Sequence, residues 1–352
     1  MAKPQLLYSA FDTGPSNYGL DIISEAQCRK NWGVCYVGNN PELDDGLAFK
    51  FRADYYIVGG PSAFDNRFDK VILAVSTIGN KPVYVLGDTP RSILRPGVRG
   101  HVGHAVAIVA LPSDIPLAKK FGYKDAVWLG YPSHWGIDPD NMRPSNIFGS
   151  GDGPDSTKRI FVCGLKHAEI TDNMLASVIH GMDQLGGDWY IYFQSHPSEI
   201  ESTKNTERRA RVLAHPRVEE IKTRGRVASI MLAADLTVCT GGAKSVLVGA
   251  LLRLPVIYYI DNQVMEYTKK QVNEEIWGPV AAGACEMTWA SQMHVSLNRL
   301  LDEKNDGWRS LLRGRQELAF PEQSADLNVA HNVLEYMQDP VVYVPFAERQ
   351  EK

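Results

Sequence analysis

The chain has 352 residues, of which 44% are hydrophobic and 22% charged, and its formal net charge is −4. That length exceeds what a single core usually serves, so two domains are expected, and the composition excludes the disordered and fibrous classes. The small negative charge leaves no electrostatic footprint for strong nonspecific nucleic-acid binding, although a local basic patch is compatible with it.

The first residues, MAKPQLLYSAFD, lack the basic-then-apolar pattern of a signal peptide, and no stretch approaches the roughly 20 apolar residues of a membrane span. A cytoplasmic protein is the expectation. Leu6 to Ser9 reads as a first strand. Residues 11–19 are rich in turn formers and read as a loop containing Gly14, Asn17 and Gly19, with a helix from about Leu20 to Asn31. Further strands are expected at Val34 to Val37, Tyr55 to Val58, Val83 to Leu86 and Ala105 to Val109, with a helical segment at Phe68 to Ile78. Strands alternating with helices imply a parallel sheet, because parallel neighbours require crossovers.

After Leu129-Gly130-Tyr131-Pro132, residues 134–158 are dense in Pro, Gly, Asp, Ser and Asn without apolar periodicity, the composition of an interdomain linker. Arg159 to Cys163 restarts a strand that ends in the turn Gly164-Leu165-Lys166. Tyr190 to Phe193 is an apolar strand ending in Gln194-Ser195-His196-Pro197, and Thr206 to Arg211 (TERRAR) is a charged helical stretch expected to present a solvated face. Asp326 to Met337 has the pattern of an amphipathic terminal helix.

The most informative stretch is Ser229 to Tyr259, which reads as helix, buried strand (Leu236 to Cys239), a Thr240-Gly241-Gly242 turn, an apolar helix and a further strand. Glycines there let backbone approach a ligand closely, and the free N–H groups opening the next helix, at its positive dipole end, suit a phosphate. Gly241, Gly242, Ala243 and Lys244 are therefore candidates to meet a diphosphate, with Ser245 adding a hydroxyl. Ligands in open α/β sheets collect at the carboxyl ends of strands, so His196 and Asp261, each following a strand, are further candidates. Any doubly wound domain also needs glycine at some turns, which is the plain scaffold alternative.

The block carrying Ala234, Asp235, Gly241, Gly242, Pro255 and Asp261 resembles the C-terminal domain of GT-B glycosyltransferases, of non-hydrolysing UDP-sugar 2-epimerases and of CDP-glycerol glycerophosphotransferases. The His196-Pro197 pair and the Gly130-Tyr131-Pro132 sequence are similar to the same families. The resemblance implies an α/β fold of two Rossmann-like, doubly wound parallel-sheet domains facing each other across a cleft: an acceptor domain over 1–133, a linker over 134–158, a nucleotide-donor domain over 159–322, and a C-terminal helix and tail over 323–352 packing back on the first domain. It implies an enzyme whose substrate is a nucleotide-sugar donor, UDP-linked by expectation, with no separate cofactor. The acceptor is left open between glycan, small molecule and modified DNA base, and oligomeric state is not fixed.

An inverting transferase needs a general base at a strand end. Asp88, in Gly87-Asp88-Thr89-Pro90-Arg91, satisfies this and is similar to a segment of phage DNA β-glucosyltransferase; Asp12 is its competitor, and Arg91, His101 and His104 are assigned to the same cleft. Lys244 to Leu252 contains no acidic residue, unlike the epimerases and the retaining transferases, and Thr240-Gly241-Gly242-Ala243 stands where the glycerophosphotransferases resembled here have Asp-Tyr-Ser-Ser, which together favour an inverting glycosyltransferase over a 2-epimerase or a CDP-alcohol phosphotransferase. Cys28, Cys35, Cys163, Cys239 and Cys285 are an odd, widely spaced set without a CxxC pair, so reduced structural thiols and no metal site are expected.

Overall fold

A computed structural model describes residues 3–9, 13–29, 31–37, 53–59, 81, 83–87, 90–94, 102–131, 157–196, 199, 206–222, 227–241, 244–272, 274–302, 306–320 and 329–340. The chain divides into two compact units. The first comprises Met1–Trp135, Gln271–Asn273 and Gln323–Lys352, and the second Gly136–Lys270 and Glu274–Glu322.

The first unit is built on β1 (Gln5–Ser9), β2 (Gly33–Val37), β3 (Tyr55–Gly59), β4 (Val83–Leu86), β5 (Ala105–Val109) and β6 (Asp125–Trp128), all parallel, in the order β2-β1-β3-β4-β5-β6. Its strands are apolar on both faces because both faces are covered. Leu6, Tyr8, Ile57, Tyr84, Leu86 and Ile108 pack with α1 (Thr13–Cys28) and α11 (Val329–Gln338), whereas Leu7, Val58, Val83, Val85 and Ala107 pack on the other side with Ala118 of α2 (Ile115–Phe121). Successive strand residues thus feed different cores, as the period of two requires.

One expectation fails here. The stretch read as a loop is helix from Thr13 onward, so Gly14, Asn17 and Gly19 lie within α1. Pro15 sits in the first turn, where its missing N–H would have had no partner, so it does not delay the start. Gly19 is a packing glycine: a Cβ there would stand 2.0 Å from the Tyr8 ring.

The second unit contains β7 (Lys158–Cys163), β8 (Trp189–Gln194), β9 (Val218–Glu220), β10 (Leu236–Cys239), β11 (Val256–Ile260) and β12 (Glu286–Trp289), also all parallel, in the order β12-β11-β10-β7-β8-β9. Its helices are α3 (Ala168–Leu185), α4 (Thr206–Leu213), α5 (Val227–Ala233), α6 (Lys244–Leu251), α7 (Asn262–Val272), α8 (Gly278–Ala281), α9 (Met293–Leu301) and α10 (Asp306–Ala319). Asp235 fixes the entry to β10: its Oδ2 accepts the Arg159 N–H at 2.7 Å, and its own N–H donates to the Arg159 carbonyl at 2.9 Å. Both units are doubly wound α/β sheets, the fold class expected from the alternation of strands and helices. The helix expected at Phe68 to Ile78 lies outside the described residues, as does the linker up to Ser156. Among the described residues no helix is long and apolar enough to cross a membrane. All five cysteines are free thiols.

Candidate functional site

In the second sheet the winding direction reverses between β7 and β10, and such reversals leave a crevice at the carboxyl ends of the strands. Two turns flank this point. The first follows β7: the Gly164 N–H donates to the Gln194 carbonyl at 2.8 Å, tying the ends of β7 and β8, and the Leu165 N–H donates to the Thr171 hydroxyl at 2.9 Å, tying the turn to α3. The second follows β10: buried Thr240 donates through Oγ1 to the Tyr259 carbonyl at 2.7 Å, and Gly241 has φ +50°. A Cβ on Gly241 would lie 2.9 Å from Leu165 Cδ2 and 3.3 Å from Tyr267 Cε1. Backbone conformation and crowding both demand glycine there. Gly242 and Ala243 lie outside the described residues, and α6 starts at Lys244.

Cationic groups surround this turn pair. Lys244 heads α6 with its side chain reaching solvent, yet desolvation by the protein around it lowers its pKa. His196, after β8, is held below the ordinary imidazole value by burial and then by the charge of Lys166. His167 is lowered by burial, Lys166 and Lys270, and its ring meets Tyr267 edge-on at 4.9 Å. Neither Lys166 nor Lys270 has an ion-pair partner among the described residues. A glycine turn at a helix start, flanked by imidazoles held below their ordinary pKa and by the ammonium groups of Lys166 and Lys270, is chemically suited to a polyanion.

Ser245 does not belong to that surface. It is fully buried on a helix whose residues 245–250 are all covered, and its hydroxyl sits beside the thiols of Cys163 and Cys239. Burial pushes the Cys163 thiol up to about 11, and Ser245 tempers the rise. The position after Lys244 points inward because α6 is apolar on every side, so the expected hydroxyl contact with phosphate is replaced by packing against the strands.

Asp261 likewise has a local role. Its Oδ1 accepts the Val264 N–H at 2.8 Å, capping α7, and its Oδ2 accepts the Tyr259 hydroxyl at 2.8 Å. Through that cap it fixes the helix that presents Tyr267 and Lys270.

The loop bearing His196 rests on an ion network. Arg209 of α4 pairs with Asp172 of α3 and with Glu199, and its guanidinium lies 4.8 Å from the Phe193 ring centroid. Glu199 Oε2 accepts the His196 N–H at 3.4 Å, and Ser195 donates to Glu220 at 2.6 Å. Asp172 is fully buried and its Oδ2 has no hydrogen-bond partner among the described residues; burial raises the Glu199 pKa against the lowering effect of Arg209. The TERRAR segment is therefore not wholly a solvated face. Glu207 and Arg211 are exposed as expected, but Arg209 turns inward because two buried carboxylates require a cation.

In the first unit, Asp12, Asp88 and His101 lie outside the described residues. Arg91, just beyond β4, has φ +66°; its N–H donates to Asp114 Oδ2 at 3.0 Å and its guanidinium pairs with the same buried carboxylate. That pairing shapes the turn following the Asp88 position. His104 is exposed in a one-turn helix entering β5, at the amino end of its strand. In a parallel sheet this edge is opposite the one that Gly87 occupies, separated by a strand length of about 16 Å. Among the described residues no group of three or more His, Cys, Asp or Glu side chains could hold a metal ion.

Sequence reasoning missed Lys166, His167, Tyr267, Lys270 and Arg209. The signal for the first two was the glycine ending the first strand of the second unit, which marks the winding reversal. The others come from helices distant in sequence and gave no local signal.

No protein-family model matches the chain, and no curated protein sequence matches it. Solved structures do. UDP-GlcNAc 2-epimerase from Neisseria meningitidis, bound to UDP-GlcNAc, is similar with TM-score 0.62 at 12% identity, over 96% of this chain and 99% of that one. S. aureus MnaA, in a co-structure with UDP, gives TM-score 0.62 at 14% identity over 96% of each chain. MurG from Acinetobacter baumannii gives TM-score 0.58 at 14% identity, over 95% of this chain and 99% of that one. The chain has the two-domain GT-B fold of these proteins.

Proposed function

We propose that the protein is an enzyme acting on a nucleotide-diphosphate sugar, and that it transfers the sugar to an acceptor hydroxyl with inversion and without a metal ion. The observation that carries this reading is the paired turn at the winding reversal of the second sheet, where Gly241 opens the approach to α6 and Lys166, His167, His196, Lys244 and Lys270 supply positive or protonatable groups. The diphosphate lies against the amino end of α6, and Lys244 and Lys166 balance its charge. The acceptor hydroxyl loses its proton to Asp88, with Asp12 as the competing base, and its oxygen attacks the anomeric carbon. The bond to the nucleoside diphosphate breaks, the electron pair leaves with the phosphate oxygen, and the helix terminus and lysines stabilise the charge that develops there.

The second reading is 2-epimerisation, favoured by the fold likeness to UDP-GlcNAc 2-epimerases. It needs proton-transfer groups on both faces of the sugar, and Ser245 to Leu251 of α6 contain no ionisable side chain. Calorimetric titration with UDP, GDP, CDP and dTDP, free and sugar-linked, tests the common premise: measurable affinity for one series is expected, and none for any would overturn it. Product analysis separates the readings, because a transferase releases nucleoside diphosphate only with an acceptor and an epimerase yields a new sugar epimer without one.

A further inference from the structure

The first unit carries a cavity of about 680 Å³ at the edge of its sheet opposite to Gly59 and Gly87. Its strand residues are Tyr55, Tyr84, Val106 and Asp125, each first or second in β3, β4, β5 or β6. Tyr336 and Met337 of α11 cover one side. The volume falls within the range of about 300–1,000 Å³ typical of small-molecule sites.

The polar groups divide into committed and uncommitted. Lys81 pairs with Asp54 at 3.1 Å, and Asp54 also accepts the Gln5 N–H at 3.0 Å. Asp125 is held by Lys119 at 3.0 Å and by the Ala126 N–H at 2.8 Å, and it feels Lys124 only at longer range. Lys124 is exposed and forms no salt bridge among the described residues. Tyr84 is 2% exposed, it meets Tyr336 edge-on with ring centroids 6.2 Å apart, and its hydroxyl forms no hydrogen bond among the described residues. Burial raises its pKa, with Tyr336 and Tyr55 adding to the shift, so the hydroxyl stays protonated and able to donate. Tyr84 lines the cavity, so its protonated hydroxyl is a donor that a ligand there can use.

We propose that this cavity is a second ligand site, taking a small anion with a flat ring: the ring lies among Tyr55, Tyr84 and Tyr336, and the acidic group meets Lys124 and the Tyr84 hydroxyl. Aromatic edges and faces supply the area, one ammonium and one hydroxyl supply the polarity, and the two aspartates, already occupied, exclude a cation from competing strongly. The site is separate from the diphosphate turn, since every residue in it belongs to the first unit.

The test uses the whole chain and three probes of matched ring size: benzoate, phenyl phosphate and benzyl alcohol, titrated by saturation-transfer NMR. At least one anion is expected to bind and the neutral alcohol to bind more weakly, and the tighter anion assigns the ligand to carboxylates or phosphates. Tyr84→Phe should weaken that anion about fivefold, the worth of one hydrogen bond. Lys124→Ala, at an exposed position that cannot threaten folding, should weaken it at least as much. Gly242→Asp, which blocks the diphosphate turn, should leave it unchanged. Absence of binding by either anion, equal binding of benzyl alcohol, indifference to Tyr84→Phe or Lys124→Ala, or loss in Gly242→Asp would each overturn the proposal.

Discussion

At the residue scale, the two histidines near the diphosphate turn connect pH to both stability and binding. His196 is held below its ordinary value of 6.5 by burial and by Lys166. In the window between its folded pKa and 6.5, the unfolded chain binds a proton that the folded chain refuses. The stability gained by keeping the ring neutral is therefore complete above pH 6.5 and is lost as pH falls through the folded pKa. A diphosphate reverses the preference, because a nearby anion favours the imidazolium. Thermal melting scanned from pH 8 to pH 5.5 should show the free protein losing stability and nucleotide affinity increasing, and His196→Gln should flatten both trends. Lys244→Ala should cost diphosphate binding about 1–3 kcal/mol, the range for a hydrogen bond to a charged group, and a nucleoside monophosphate should register less of the loss. Equal losses for the two would remove Lys244 from the diphosphate. For the base, Asp88→Asn keeps shape and donor affinity, so turnover alone should fall by roughly 10²–10⁴-fold; turnover retained in Asp88→Asn and lost in Asp12→Asn would transfer the role.

At the scale of elements, α4 is coupled to the His196 loop through one side chain. Arg209 balances Asp172 and Glu199, both buried, and removing a buried ion partner costs about 3–5 kcal/mol because a charge is left uncompensated. Arg209→Met should lower the denaturation midpoint accordingly and should also weaken donor binding, since Glu199 holds the His196 backbone. Adding Asp172→Asn and Glu199→Gln to Arg209→Met removes both stranded charges. Recovery of stability without recovery of donor affinity is the expected outcome of that triple variant, measured by urea titration and calorimetry. If the single variant melts like the parent, the network has no energetic role.

For the whole molecule, two sheets with separate cores predict two separable responses. Val333 of α11 is fully buried against α1 and the first sheet. Val333→Asp should depress the unfolding of the first unit, whereas a nucleoside diphosphate should raise that of the second, and differential scanning calorimetry of the variant with and without UDP should resolve the two effects. A single transition that shifts as one body under both changes would refute independent cores.

The sequence by itself determined the elements. Strands such as Val83 to Leu86 and Leu236 to Cys239 were legible to the residue, because apolar runs bounded by turn formers leave a buried parallel strand as the reading, and the alternation with helices then dictates the doubly wound sheets. The Gly241 turn was legible for the same local reason. The tertiary structure decided what the residues after each strand do. Gly14, Asn17 and Gly19 had the composition of a loop, but α1 packs so closely on Tyr8 that glycine is needed inside the helix. Ser245, Asp261 and Arg91 looked like ligand contacts and became a buried neighbour of two thiols, a helix cap and half of a buried ion pair. His104 lies at the amino end of its strand, the edge opposite to Gly87, by strand polarity alone. Conversely Lys166 and His167, from the turn after β7, and Tyr267 and Lys270, from α7 after β11, meet at one edge only because the order β11-β10-β7 brings those strand ends close together. Periodicity and turn chemistry act over a few residues and can be read along the chain, whereas which side chains share a site depends on strand order and on the face each helix buries, and both are fixed by packing between segments far apart in sequence.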